Sequence, residues 1–514
     1  MILLKKYKPV RVLGPLSLSQ RKFKAFRIRT KAALFYKKVP IRQHLSNGDS
    51  KRFPKKIANY SKGLPHNELG EVDLNAYNKY IAALDSGDPN NFENIPLGGA
   101  RKLVNPQAAY AYELVGPDSH QLVLAPPPPF SSAQLAGEMV EDYWQALTRD
   151  VPFNEYETNP LTIAATQELS SLSRFRGPKI NGQVTPQTLY RENLPGALVG
   201  PYVSQFLWKN IPYVGTNIVQ RYRTTVGGDD HLTSYEDWLA VQNGEAPPTS
   251  SNFDPTPRYI RNHRDLGQYV HNDVSVESAL GTFFILLEYG PEAIDPNNPY
   301  LDSDTQVGLA TFGAPHALDF VTRAARPALL AAWFQKWLVH RRFRPEAFGG
   351  RIHNKLTGAA DYPIHHEVLS SEALALTFER YGTYLLPQAY PEGSPTHPSY
   401  PAGHSSFIGA TVTMLKAFFN ESFVIPEPVV ASSDGLSLMS FDGTLTIGGE
   451  LNKLAYNISI GRDAAGVHYR SSGINGLRLG EAIAIEILRD YRKTYNEDFK
   501  GFTFTKFDGK QIRI

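Results

Sequence analysis

The sequence predicts a mainly α-helical protein: a helical bundle preceded by an extended N-terminal arm and accompanied by few short strands. Helical periodicity dominates the chain from Ser131 onward, whereas residues 1–130 are basic and rich in Pro and Gly. The stretch 125–130 (APPPPF) favours polyproline II and stops any helix. We therefore expect two parts, a basic arm with loops over residues 1–130 and a helical domain with the candidate catalytic residues over residues 131–514.

Helical patterns recur along the second part and place most of its elements. Ser132 is the predicted N-cap of the first helix, and Pro327 is expected to kink or split the longest one. A hairpin is predicted within residues 436–449, where an Asp-Gly pair precedes a short apolar run. The remaining helices are predicted over residues 160–173, 201–209, 235–243, 275–288, 315–342, 371–381, 405–419, 450–462 and 472–493.

The charge of the chain is small overall but unevenly distributed. The 514 residues carry a net charge of +3 at pH 7. Residues 1–60 hold 17 Lys and Arg against one acid, Asp49, a balance of +16, whereas the other 454 residues hold 36 Lys and Arg against 49 acids, a balance of −13. A basic arm on an acidic body either contacts its own body or a neighbouring subunit, or binds polyanions. Apolar residues within the arm favour the first of these.

Composition excludes several kinds of chemistry. The chain has no cysteine, which rules out disulfides, zinc–thiolate sites, iron–sulfur clusters and thiol catalysis. It has no run of about 18 apolar residues, so we expect no membrane span. It also has no evident signal sequence, which favours a cytoplasmic location.

Three short segments carry the candidate functional residues. The first, residues 336–346 (KWLVHRRFRPE), places Lys336, His340 and Arg344 on one helix face if the helix continues that far. Pro345 marks the helix boundary, so Arg344 is expected where a helix opens into a loop. From that position its guanidinium can reach a bound ligand.

The second segment, residues 397–404 (HPSYPAGH), ends at a predicted helix start. Its prolines stiffen the approach, and Gly403 permits close contact between the backbone and a ligand. A backbone N–H beside a helix start is a natural donor to an anion. His404 at this position can exchange protons with a bound anion.

The third segment, residues 462–470 (RDAAGVHYR), holds Arg462 and His468. The two side chains are too far apart around a straight helix to share a face, but a turn at residues 464–466 would direct both toward one ligand. Together the three segments supply fixed cations, a backbone N–H and histidines. A tetrahedral oxyanion such as phosphate or vanadate requires such a set.

Jointly, the three segments resemble the motifs of the vanadium-dependent haloperoxidases and of the related type-2 phosphatidic acid phosphatases. Those motifs are Lys-x(6–8)-Arg-Pro, Pro-Ser-Gly-His and Arg-x5-His, in this order. The flanking residues resemble the algal and cyanobacterial bromoperoxidases more than the fungal chloroperoxidases. In this chain the motifs read Lys336…Arg344-Pro345, Pro401-Ala402-Gly403-His404 and Arg462…His468.

The resemblance implies how vanadate would be held. His468 would be the axial ligand of vanadium through a ring nitrogen. Lys336, Arg344 and Arg462 would neutralise the equatorial oxygens, and the Gly403 N–H would donate as well. Lys336 would also make a peroxide oxygen more electrophilic.

The resemblance also implies roles for residues around the oxyanion. His404 would be the acid and base near the axial oxygen, and His397 would influence which halide reacts. Asp273 resembles a family aspartate that orients a pocket arginine, here Arg462. Ala402 departs from the family, which has a serine there; its hydroxyl contributes a charge-assisted hydrogen bond of roughly 1.5–3 kcal/mol.

The activity implied is that of a vanadate-dependent bromoperoxidase. Such an enzyme uses hydrogen peroxide to oxidise bromide and iodide to hypohalous acid, which halogenates small organic acceptors. The family has the fold of a helical-bundle haloperoxidase/acid phosphatase-like domain. We expect no nucleic acid or membrane partner, and a homo-oligomer, dimeric or larger.

Two other functions stay open on the sequence. An acid phosphatase could use the same pocket, with His468 forming a phosphohistidine and His404 protonating the leaving group. A non-catalytic protein could bind polyanions through the basic arm.

A calcium site is a further hypothesis. The loop 295–306 is rich in oxygen-bearing side chains, the ligands that calcium prefers. Red algal members of the family carry structural calcium in the corresponding region, and Asp304 and Gln306 fall near those ligands.

Overall fold

The structure, a computed structural model, describes residues 14–514 and confirms the mainly α-helical class. The first residues of the predicted arm, 1–13, lie outside the described residues. No helix among residues 14–514 is both long enough and apolar enough to cross a bilayer. The α-helices are α1 (Leu18–Lys38), α2 (Asp49–Arg52), α3 (Leu74–Ser86), α4 (Pro89–Glu93), α5 (Ala133–Leu147), α6 (Pro160–Ser171), α7 (Tyr235–Gln242), α8 (His263–Asn272), α9 (Glu277–Glu288), α10 (Ala314–Phe334), α11 (Pro345–Leu356), α12 (His366–Leu369), α13 (Glu372–Tyr381), α14 (Gly403–Phe418), α15 (Ile447–Ala464) and α16 (Arg470–Tyr491).

Most predicted helices are present within three residues of their predicted ends. Ser132 caps α5 as predicted, its hydroxyl accepting from the Leu135 N–H at 3.2 Å. The prediction for residues 201–209 is wrong, because only the 3-10 turn Gln205–Leu207 forms there. The pattern also misses α8 and α11, in which few apolar residues stand among many charged and polar ones.

The strands are short and pair locally. In the described part of the chain they form three antiparallel hairpins: β1 (Ile211–Tyr213) with β2 (Thr216–Ile218), β3 (Val429–Ala431) with β4 (Leu438–Ser440), and β5 (Thr503–Thr505) with β6 (Gln511–Arg513). The hairpin predicted within residues 436–449 is wrong, because β4 pairs with the preceding strand β3. The apolar run that suggested it starts a helix instead, where the Thr446 hydroxyl accepts from the Gly449 N–H of α15 at 3.3 Å.

The N-terminal part is more helical than its composition predicts. The extended conformation expected for the arm is wrong for α1, whose start is closed by a capping box between Ser17 and Gln20. α1 buries none of its residues, and Tyr36 near its end lies at hydrogen-bonding distance from Glu486 of α16. α3 and α4 also fall within residues 1–130, so this part is not only an arm with loops.

The helix that carries the first functional segment departs from the expected geometry. α10 continues through Pro327 without a split, and the chain then forms a π-helical segment, Gln335–His340. Arg341 follows with a positive φ of 43°, and Arg344 is the N-cap of α11. The helix does not continue as far as a shared face for the basic residues would require, because one helix ends before Arg344 and another begins there.

The core of the helical domain is built by α10, α14, α15 and α16. α14 and α16 run in the same direction and touch backbone to backbone, since a Cβ at Gly409 or Gly480 would lie 2.4 or 2.1 Å from a carbonyl oxygen of the other helix. Their starts are joined where the Ala402 N–H donates to the Ser472 carbonyl at 2.9 Å. This packing brings the second and third functional segments to the same end of the bundle.

Candidate oxyanion site

Lys336 lies buried in the π-helical segment and directs its ammonium toward the second functional segment. Its Nζ donates to the carbonyl oxygens of Pro398 at 2.6 Å and Ser399 at 3.2 Å. Burial, followed by the charges of Arg344 and Arg462, holds the pKa of Lys336 well below its usual value. The ammonium also lies 5.9 Å from the centre of the Trp333 ring. A bound anion would favour its charged form.

Arg344 connects the first segment to the other two. Its guanidinium donates to the His397 carbonyl and to the Val467 carbonyl, both at 2.7 Å. It also lies 3.0 Å from His397 Nδ1 and 3.0 Å from His468 Nε2. Burial lowers the pKa of Arg344 to about 9. Side chains of all three segments thus meet at this guanidinium.

His468 presents a buried ring nitrogen to the cations. Burial, followed by the charges of Arg344, Lys336 and Arg462, holds the pKa of His468 well below its usual value. A neutral imidazole keeps a lone pair for a Lewis acid. The turn predicted before it is present: Gly466 has a φ of 81°, and a Cβ there would lie 2.5 Å from a buried amide nitrogen. This turn carries the chain from α15 back to the site.

Arg462 lies in the last turn of α15, and the protein binds its guanidinium through Nη1. Its Nη1 donates to the Val270 carbonyl at 2.8 Å and to the Tyr390 hydroxyl at 3.3 Å, while its Nε has no partner within residues 14–514. Tyr390 in turn stacks on His271, with ring centroids 3.8 Å apart. Sequence reasoning misses Tyr390, because it lies in an irregular loop and belongs to no motif.

Gly403 is the first residue of α14 and faces an aromatic wall. A Cβ at Gly403 would lie 3.2 Å from the Trp333 ring, whose centroid is 4.9 Å from that of His397.

Burial, followed by the charges of Lys336 and Arg344, holds the pKa of His397 well below its usual value. Trp333 is another residue that the motifs do not indicate, although its place three residues before Lys336 is a usable signal.

His404 forms a pair with Asp273, which corrects one prediction. The Asp273 carboxylate lies 2.9 Å from His404 Nε2, whereas no ion pair joins it to Arg462 within residues 14–514. The prediction that Asp273 orients Arg462 is therefore wrong. Asp273 ends α8, and the fold places that end against the first turn of α14. Burial lowers the pKa of His404, and the nearby carboxylate of Asp273 opposes that shift.

The three cations of the site have no carboxylate partner within residues 14–514. In the described part of the chain, no Asp or Glu oxygen lies within 4.0 Å of the side-chain nitrogens of Lys336, Arg344 or Arg462. Neighbouring buried arginines, by contrast, pair with glutamates of α5. Buried charges without a counter-ion are costly, so three of them together indicate a site for an anion.

Three helix starts add to the positive potential of the site. Arg344, Ala402 and Tyr469 are the N-caps of α11, α14 and α16, and none of these side chains caps its helix. Each start leaves backbone N–H groups and the positive end of a helix dipole. Each functional segment therefore reaches the site at a helix start, which suits a tetrahedral oxyanion.

The structure does not add support for calcium. Asp304 and Gln306 are exposed. No group of three or more His, Asp and Glu side chains within residues 14–514 is arranged to hold a metal ion. The calcium site stays a prediction of the sequence.

A helical bundle that holds three buried cations without carboxylate partners among the described residues is typical of a helical protein that binds an oxyanion. A comparison with family models agrees with this class. Residues 318–497, which include all three functional segments, match the model described as the VCPO second helical-bundle domain.

Curated relatives extend the similarity over most of the chain. The vanadium-dependent bromoperoxidase of Ascophyllum nodosum is 36% identical over 484 residues, covering 89% of this chain and 86% of the relative. That of Corallina officinalis is 35% identical over 555 residues, covering 91% and 92%. This chain belongs to the vanadium-dependent haloperoxidases, of the bromoperoxidase type.

A solved structure shows the same fold over nearly the whole chain. The second vanadate-dependent bromoperoxidase of Ascophyllum nodosum, a homohexamer, matches with a TM-score of 0.93 at 31% sequence identity. The match covers 99% of this chain and 93% of the other. The similarity therefore includes the N-terminal part, which contains none of the three motifs.

Proposed function

We propose that this chain is a vanadate-dependent bromoperoxidase that oxidises bromide and iodide with hydrogen peroxide to hypohalous acid, which halogenates small organic acceptors. Bromide, hydrogen peroxide and one proton give hypobromous acid and water. The observation that carries the proposal is the meeting of the buried side chains of Lys336, Arg344 and Arg462, which have no carboxylate partner among residues 14–514, with the His468 imidazole. Membership of the family supports it.

The donor set fits vanadate. His468 Nε2 would hold the vanadium, and Lys336, Arg344 and Arg462 would hold the charged oxygens together with the Gly403 N–H. The Nε of Arg462, which has no partner within residues 14–514, is one donor still available. Vanadate, when bound, supplies a Lewis acid that polarises the O–O bond of peroxide without changing its own oxidation state.

The protein moves protons and positions charge around that group. Lys336, whose ammonium is held by two carbonyls, would make a peroxide oxygen more electrophilic. His404 handles the proton that the reaction consumes, and Asp273 holds its ring at Nε2. His397 and Trp333 form a wall on which the halide would approach.

The proposal is tested with metal-free protein reloaded with vanadate. We expect bromination of a phenol that requires vanadate, bromide and peroxide together. Phosphomonoester hydrolysis without peroxide would instead support the acid phosphatase. Salt-sensitive binding of a polyanion with neither activity would support the non-catalytic alternative.

We also propose that copies of the chain assemble through α1. Phe23, Phe26 and Leu34 are 60%, 62% and 44% exposed and lie on one face of α1, away from the face with Ile28 and Phe35. α1 carries eight Lys and Arg and no acid, whereas the chain after residue 60 has a balance of −13. An acidic surface of a second copy would complement the charge of α1, and contact between copies would bury its apolar face. A homohexameric relative supports assembly.

Replacing Phe23, Phe26 and Leu34 together by serine is expected to lower the oligomer to a smaller species, because it removes the apolar face of α1. Light scattering during gel filtration measures the mass. Val214→Ser serves as a control at a 99% exposed apolar residue outside α1. A monomeric unmodified protein, or a triple variant of unchanged mass, would contradict the proposal.

Ala402→Ser is expected to tighten vanadate binding by roughly 10- to 100-fold, because it restores a charge-assisted hydrogen bond of roughly 1.5–3 kcal/mol. Ala402 is buried at the start of α14. Titration of the metal-free protein with vanadate measures the change. Ala417→Ser, a buried substitution farther along α14, serves as the control. Equal affinities in the Ala402 variant and the unmodified protein would show that the missing hydroxyl is irrelevant.

A further inference from the structure

Arg342 is a buried arginine that touches no predicted ligand yet joins the segments that carry them. Its Nη2 donates to Glu138 of α5 at 2.9 Å, and its Nη1 donates to the Ser471 hydroxyl at 2.8 Å. Its guanidinium carbon lies 3.7 Å from the centre of the Tyr469 ring. The side chain of Arg342 thus holds residues that directly follow His468 in the chain.

The backbone of Arg342 reaches the second segment. Its carbonyl accepts from the Ser399 N–H at 2.9 Å, and the Ser399 carbonyl in turn accepts from Lys336 Nζ at 3.2 Å. Its Nη1 also lies 3.3 Å from the Ser472 hydroxyl, and the Ser472 carbonyl accepts from the Ala402 N–H at 2.9 Å. Arg342 of the first segment is therefore hydrogen-bonded to the second segment, and it contacts Tyr469 of the third segment and the two serines that follow that segment.

Arg470 has the same kind of surroundings without these links. Its guanidinium donates to Glu141 of α5 at 2.8 Å and to Glu192 at 2.8 Å, and it lies 5.8 Å from the centre of the Tyr456 ring. Both arginines are buried and paired with a glutamate of the same helix. Within the described residues, however, none of the hydrogen bonds and ring contacts of Arg470 involves the first or second segment.

We propose that Arg342 is a positioning residue that holds the three segments in register, so that the affinity of the site for an oxyanion depends on it. The inference rests on the proposed function. Lys336, Arg344 and His468 lie on separate stretches of chain, and their common geometry requires those stretches to be fixed relative to one another. Arg342 does this through two hydroxyls, a carboxylate, a ring and its own carbonyl.

The test compares Arg342→Lys with Arg470→Lys in the full chain. Lysine keeps the charge but loses the planar fork and the stacking surface, so both variants are expected to lose thermal stability. We expect Arg342→Lys to weaken vanadate binding at least tenfold, and Arg470→Lys to stay within about twofold of the unmodified protein. Titration of metal-free protein measures the affinity, and the vanadium-51 chemical shift of the bound anion reports its geometry.

Glu138→Gln keeps the shape of the side chain that pairs with Arg342, and it is the second test variant if Arg342→Lys does not fold. It is expected to weaken binding by three- to tenfold. Equal loss of affinity in the Arg342 and Arg470 variants would show a merely structural role and overturn the inference, as would unchanged affinity in the Arg342 and Glu138 variants. Failure of the unmodified protein to bind vanadate would instead overturn the proposed function, and the inference with it.

Discussion

His468→Ala is expected to abolish vanadate retention while leaving the fold intact. His468 is the imidazole whose Nε2 faces the buried cations, at 3.0 Å from Arg344 Nη1, and its pKa is held well below the usual value of a histidine. Loss of a residue that only supports a metal ligand costs 10- to 100-fold in affinity, so loss of the ligand itself is expected to cost at least about 100-fold. Bromination falls with the occupancy of the site.

Metal analysis after gel filtration of the vanadate-loaded protein measures this loss. His340→Ala is the matched control, because His340 is a histidine of the first functional segment but packs edge to face on Tyr400, with ring centroids 4.9 Å apart. The control is expected to keep one vanadium per chain. Stoichiometric vanadium in the His468 variant would refute the assignment of the ligand.

His404→Ala is expected to keep vanadate but to lower the bromination rate by about 10²- to 10⁴-fold, the usual contribution of general acid–base catalysis. His404 lies in the first turn of α14, and Asp273 binds its Nε2. Its removal takes away the group that handles the proton without removing a cation or the coordinating imidazole. Steady-state kinetics at saturating vanadate measure the effect, and an unchanged rate would contradict the role.

Asp273→Asn tests the same pair through pH. Burial lowers the pKa of His404, and the charge and hydrogen bond of Asp273 raise it. Removing the carboxylate therefore lowers the pKa of His404 further, and the limb of the pH–rate profile that reports this histidine moves to lower pH. A limb that stays in place, or moves to higher pH, would show that His404 is not the titrating group.

The candidate residues could be predicted because each motif is a continuous stretch of chain. Their partners could not, since contacts between distant segments depend on packing. Asp273 meets His404 instead of Arg462 only because the end of α8 lies against the start of α14. Trp333 forms the wall beside Gly403 for the same kind of reason.

Helical periodicity predicts the class of fold, but it does not predict where the helices are interrupted. Pro327 predicts a kink or a split, and α10 continues through it without a split because its packing against α14 and α16 outweighs the local preference. The irregular geometry falls at Gln335–His340, where no Pro or Gly marks it. α1 escapes prediction because a helix without buried residues has no need of a core-facing apolar stripe.

The uncompensated cations link ligand occupancy to the stability of the fold. Without an anion, Lys336, Arg344 and Arg462 repel one another, and any tetrahedral oxyanion that binds only the native state relieves this repulsion by mass action. Phosphate has the shape and charge to compete for the same donors. A phosphate-rich medium would therefore keep the protein folded but inactive. The ratio of vanadate to phosphate would set the fraction of active molecules.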